Sequence, residues 1–234
     1  MRKIILIVFV LASFSPRVNG QYRVVENPAI VQQSHPELKL EKILFYTDSI
    51  VVRFSILNKL SEGGWFCADR NTYIEDSDSF KRFRVIGKTG IPWCPNAHAF
   101  TEVGEKLHFS LTFPPVLGDP ETLNIIEVCE KSCFELRGII LSEKLNHDLR
   151  LFDEATHFYA ENNYAKALVL FGEIVEEIPP KPTHVYGYSF YNLARICWEI
   201  GERETAKEWV RQLELSGLPN SQYFLRNLEQ ELVE

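Results

Sequence analysis

The hydrophobic period of the chain changes at Ser142, and that change divides what the sequence can fold into. Ahead of it, Leu107, Phe109, Leu111 and Phe113 alternate with Lys106, His108, Ser110 and Thr112. Successive side chains of a strand point to opposite faces, so this alternation predicts a strand buried on one face only. Leu38–Tyr46 is also strand-like, and Ile50–Leu57 is rich in β-branched and aromatic residues. With Thr47-Asp48-Ser49 as the turn between them, the two runs predict a hairpin. Further strands are predicted at 64–68, 81–86, 123–129 and 133–141. Short strands at this density, separated by Gly and Pro turns, predict an antiparallel β-sandwich over residues 21–142.

Behind Ser142 the apolar residues recur at three and four: Leu145, Leu149, Phe152, Ala155 and Tyr159, then Ala167, Leu168, Phe171, Ile174 and Val175. That is the period of an amphipathic helix, and Asn162-Asn163 supplies the turn between two of them. Pro179-Pro180-Lys181-Pro182 interrupts the pattern before a second helical pair, Tyr188–Ile200 and Glu202–Leu215, broken at Gly201. Pro219-Asn220-Ser221 opens a last helix carrying Phe224, Leu228 and Leu232 on one face. Shifting the first pair by 39 residues overlays Ala155 on Ala194, Phe158 on Cys197, Ala167 on Ala206 and Phe171 on Val210. Ala155, Phe158, Tyr164, Ala167, Phe171 and Pro179 resemble the tetratricopeptide repeat, which places small residues where two helices cross. Arg203 and Val210 depart from its preference for aromatic residues in the second unit. The expected fold class is therefore α+β in two segregated domains, with a tetratricopeptide-like helical domain over 143–234.

The first residues read Met1-Arg2-Lys3, an apolar run from Ile4 to Phe14, then Ser15-Pro16-Arg17-Val18-Asn19-Gly20. A positive start, a short apolar stretch and small residues before Gln21 predict a secretory signal peptide over residues 1–20. The run is too short to span a hydrocarbon layer as a helix, and no later stretch reaches that length. Without the leader the balance is 22 basic to 32 acidic residues, a net charge of −10. Nothing basic clusters to offset that charge, so nucleic acid is a poor partner.

An exported chain meets an oxidising compartment, where cysteines form disulfides by default. Cys67, Cys94, Cys129 and Cys133 lie in the β half, and Cys197 in the helices. A turn could bring Cys129 opposite Cys133 and leave Cys67 for Cys94, although four cysteines allow three connectivities. A thiolate zinc site or a redox pair is the alternative. The spacing matches neither a zinc ribbon nor Cys-x-x-Cys. Val25-Glu26-Asn27-Pro28, Lys42-Ile43 ahead of Thr47-Asp48-Ser49, Gly90-Ile91-Pro92, Phe113-Pro114-Pro115, and Ile126-Glu127 with Gly138-Ile139 resemble an exported domain of Bacteroidetes envelope proteins. That domain sometimes precedes thioredoxin-like domains. The resemblance implies a periplasmic location and brings no activity with it.

A catalytic constellation is not evident. The six histidines, at 35, 98, 108, 147, 157 and 184, fall on different elements without metal-ligand pairing, so no metal or cofactor is expected. Glu75, Asp76 and Asp78 form an acidic turn whose spacing is not that of a calcium loop, and it reads as solvated. The tetratricopeptide resemblance implies a groove lined by Phe152, Thr156 and Tyr159 in the first unit and by Tyr188, Tyr191, Arg195 and Trp198 in the second. Aromatic residues and Arg are what desolvated peptide-binding surfaces use. The same rings would serve equally as core, or pack on the β half or the last helix. The expected function is a non-catalytic binding or scaffold protein with a protein or peptide partner. Accessory thiol redox chemistry and carbohydrate binding through Trp65 and Trp93 stand as alternatives.

Overall fold

A computed structural model describes residues 20–129 and 132–232, so the predicted leader, apart from Gly20, lies outside the described residues. The β half begins with β1 (Gln21–Glu26), β2 (Ile30–Gln33), β3 (Leu38–Tyr46), β4 (Ile50–Leu57), β5 (Trp65–Phe66) and β6 (Tyr73–Asp76). It continues with β7 (Arg82–Arg84), β8 (Gly87–Thr89), β9 (His98–Ala99), β10 (Lys106–Phe113), β11 (Thr122–Ile126) and β12 (Glu135–Ile140). One five-stranded sheet runs β1-β3-β4-β10-β8 and a second runs β2-β12-β11-β6-β7, with β5 and β9 pairing separately. Every named pairing is antiparallel.

The predicted hairpin is β3 and β4, and the alternating run is β10, whose Phe109 pairs with Phe54 of β4. Those rings stack at 5.0 Å and Phe134 meets Phe54 at 6.1 Å, so residues flanking the second sheet join the core of the first. Ile43, Val52 and Leu111 from one sheet and Ile74, Leu123 and Ile125 from the other are fully buried in the same cluster. Burying each such side chain contributes ~1.5–3 kcal/mol, which is what holds strands this short together.

The helices are α1 (Glu143–Ala160), α2 (Tyr164–Glu176), α3 (His184–Glu199), α4 (Arg203–Leu215) and α5 (Ser221–Glu231). Ser142 caps α1 by accepting the Leu145 N–H. The 39-residue shift holds in three dimensions: Tyr164 and Arg203 open α2 and α4, and Glu176 and Leu215 close them, each pair 39 positions apart. The turns repeat as well. Asn162 and Gly201 both adopt left-handed backbone, and the next residue's N–H returns at 2.8 Å to Phe158 O in one case and to Cys197 O in the other. This is the closure in which a left-handed residue just past the helix satisfies its last carbonyls. Ala155, Ala167, Ala194 and Ala206 are all fully buried.

α3 begins four residues before its predicted start, because Val185 and Tyr186 are core residues and Gly187 inside the helix blurs the apolar period. The acidic segment is corrected too. Glu75 and Asp76 end a strand and are buried; Glu75 holds Arg82 at 2.7 Å, and Asp76 accepts from Ser79 and from the Asp78 N–H. Strand pairing with β11 pulls these carboxylates out of water, and the bonds compensate for it.

Candidate functional site

α1, α3 and α5 place side chains in two adjoining rows. In the aromatic row Phe152 of α1 lies 6.4 Å from Tyr188 of α3, which meets Phe224 of α5 edge-on at 4.8 Å. Phe152 also packs on Phe171 of α2 at 5.6 Å. The polar row starts at Tyr159 of α1, whose hydroxyl donates to Glu199 of α3 at 2.9 Å. Arg195 lies over the Tyr159 ring at 5.6 Å and pairs with Glu199 at 3.2 Å and with Glu231 of α5 at 3.7 Å. Tyr191 completes the row by donating to Glu231. Trp198 stands at the end of α3 with the Arg203 guanidinium 4.0 Å over its ring.

The spacing of the helical residues explains the rows. Positions 188, 191, 195 and 198 lie three and four apart and so share one face of α3. The structure joins Phe152 to Tyr188, and Tyr159 to Arg195 and Tyr191 through Glu199 and Glu231. Trp198 instead packs with Arg203, and Thr156 bonds back to Phe152 O within α1. α5 extends the face rather than leaving it open at α3. Glu199 and Glu231 were not anticipated. A charged residue at the end of a helix reads as a solvated terminus, and only the approach of α1 and α5 makes these two into partners. They also leave the Arg195 guanidinium held by two carboxylates of this chain.

The face is partly buried: Tyr188 keeps 37% of its surface and neighbouring Tyr223 51%, whereas Phe152, Tyr159 and Tyr191 pack partly buried against the helical core and Phe224 belongs to it. Burial and the Glu199 and Glu231 bonds push the phenols of Tyr159 and Tyr191 up to about 12, so both remain neutral donors. The row carries two carboxylates to one guanidinium, a net negative strip beside the rings.

Other chemical groups are held in structural bonds. Cys67 joins Cys94, and Cys129 joins Cys133. Cys197 is buried in α3 and burial raises its thiol above the usual range, which disfavours the reactive thiolate. His98, His108, His147 and His157 each face a Glu within 3.4 Å, His35 bonds Ser34, and His184 packs edge-on to Tyr188. Trp65 is 57% exposed, whereas Trp93 packs half-buried against the β core with Arg70 and Lys88 over its ring. Trp93 is therefore not the open sugar platform envisaged. The two disulfides fit an oxidising, exported setting. Among the described residues no helix is long and apolar enough to cross a membrane. No family model, curated protein or solved structure matches the chain.

Proposed function

We propose that the chain is an exported, non-catalytic binding protein, periplasmic in location, in which a β-sandwich carries a tetratricopeptide-like array. Its α1–α3–α5 face receives a segment of a partner protein. The observation that carries this reading is the alternation itself: every second helix contributes a ring to one row, open to solvent at Tyr188 and buried at Phe224, beside a polar row. Tetratricopeptide arrays present the first helix of each pair to a ligand, and the 39-residue recurrence of helices, turns and buried alanines supports that assignment. Rings provide contact area at low entropic cost, with hydroxyls left for hydrogen bonds. The two carboxylates around Arg195 favour a segment bearing Lys or Arg over an acidic one.

The test compares wild type with the Tyr191→Ala/Arg195→Ala/Trp198→Ala variant in a pull-down from a periplasmic extract, with the fold of each checked by circular dichroism. Tyr191→Phe with Arg195→Gln keeps the ring packing while removing both ties to Glu231, and serves if the triple variant unfolds. Loss of a partner in both variants is expected. Retention of every partner by a folded variant overturns the reading.

A further inference from the structure

At one end of the β half, well away in sequence from the helical face, a cleft of about 800 Å³ opens between the β4–β5 connection, the β5 strand and the two disulfides. Its volume is that of a ligand pocket, which spans roughly 300–1,000 Å³. Ile56, Phe66 and Phe100 form an apolar wall. Leu57, Leu60 and Trp65 stand on the rim at 38%, 59% and 57% exposure, three large apolar side chains left in water around one opening. Exposed apolar groups gathered around a concavity mark a binding surface rather than scattered surface noise.

The polar lining selects by charge. Glu37, Asp69 and Glu127 line the cleft against Lys59, which already pairs with Glu37 at 3.7 Å. Glu127 bonds the Asp69 N–H at 2.8 Å and the Phe134 N–H at 3.2 Å, so it fixes the loop that presents Asp69. Asp69 uses one carboxylate oxygen on the Asn71 N–H. The amide of Asn58, the group best suited to read sugar hydroxyls, is spent on Leu60 and Glu102. One open indole, carboxylates and no available amide argue for an apolar and cationic ligand over a glycan.

We infer that this cleft is a second binding site, taking a segment of a partner protein in which an apolar side chain sits beside an Arg or Lys, with the apolar group against Trp65 and Phe66 and the cation toward Asp69. The disulfide Cys67–Cys94 braces the cleft by tying two of its lining segments together, and Cys129–Cys133 closes the turn that carries Cys129. The site is independent of the helical face.

Selection of a random heptapeptide library on the full chain tests the site, with Trp65→Ala and Asp69→Asn as parallel baits and cellotetraose as a sugar probe. Both substituted side chains are at least half-exposed or on a loop, and circular dichroism checks the fold. Selected peptides should place an apolar residue next to Arg or Lys. A representative peptide should bind Trp65→Ala about tenfold more weakly than wild type, the loss of one well-packed anchor. Asp69→Asn should weaken it about fivefold at low salt and less at high salt, as an exposed ion pair does. Selection without that pairing, equal binding to Trp65→Ala, or displacement of the Trp65 indole resonance by cellotetraose in place of peptide overturns the inference.

Discussion

The Asn146 side chain accepts the Ala29 N–H at 2.7 Å while its amide donates to Ile140 O at 2.8 Å, so the first turn of α1 is bonded into the β half by one buried residue. A third bond runs to Ser142 O at 3.0 Å. Arg23 adds a bond to Leu141 O, and Lys181 pairs with Glu121 at 3.1 Å. The buried apolar clusters of the β half and of the helices are separate, so the register between helices and sheets rests on these specific polar contacts.

Replacing Asn146 with Ala leaves a backbone donor and a backbone acceptor in a buried setting without this partner, which costs ~2 kcal/mol. Asn146→Asp should cost more at pH 7 than at pH 4, because an ionised Asp can accept from Ala29 but must face the Ile140 and Ser142 carbonyls. Urea denaturation at the two pH values checks both. Asn146→Asp equal to wild type at pH 7 would show that the amide donor is dispensable.

Gly187 permits α5 to lie close to α3. A Cβ built there stands 2.2 Å from Phe224 Cε2, and Phe224 is itself buried. Gly187→Ala should therefore destabilise the chain by ~1–3 kcal/mol through overpacking, despite the better helix propensity of Ala. Amide exchange should rise in α5 and the Tyr191–Glu231 contact should weaken with it. Gly172 of α2 faces open space, so Gly172→Ala is expected to stabilise by up to ~1 kcal/mol. Hydrogen exchange and thermal unfolding of the two variants should move in opposite directions.

Burial pushes the Glu127 carboxyl up to about 6, against the two backbone N–H bonds that lower it, with the charge of Asp69 adding to the rise. The folded chain consequently binds this proton more tightly than the unfolded chain, whose Glu titrates near 4.5. Stability from this residue is full below 4.5 and is lost as pH rises through about 6, a change of ~2 kcal/mol. Glu105 acts with the opposite sign. The Thr101 N–H, His98 and the Thr101 hydroxyl hold it at about 2, so its contribution is present above 4.5 and lost as pH falls toward 2. Comparing Glu127→Gln with wild type by urea titration isolates the first effect: their stability difference should change between pH 4.5 and 6 and stay level above it. A difference that does not vary with pH would refute the assignment.

Local periodicity was sufficient to locate β3, β4 and β10, the Asn162 turn and the 39-residue recurrence of the helices, because each depends on side-chain spacing and turn chemistry within a few residues of the chain. Phe152, Tyr159, Tyr188, Tyr191, Arg195 and Trp198 were nominated by the tetratricopeptide resemblance, and their spacing of three and four within a helix is what puts those of α3 on one face. The short strands β6, β8 and β9 carried no comparable signal; β6 and β8 form against the longer β11 and β10, and β9 against the two-residue β5. Pairing of Cys67 with Cys94 was open among three connectivities until the β5–β9 region brought the two sulfurs together. Glu199 and Glu231 become partners of Arg195 only when α1 and α5 close on α3, and Trp65, Asp69 and Glu127 share one cleft only when loops distant in sequence meet. The sequence by itself determined the helices and the long strands β3, β4 and β10, through forces that act over one or two turns. The tertiary structure alone decided the surfaces, because contacts across long loops form only where burial of the whole core compensates the entropy of closing them.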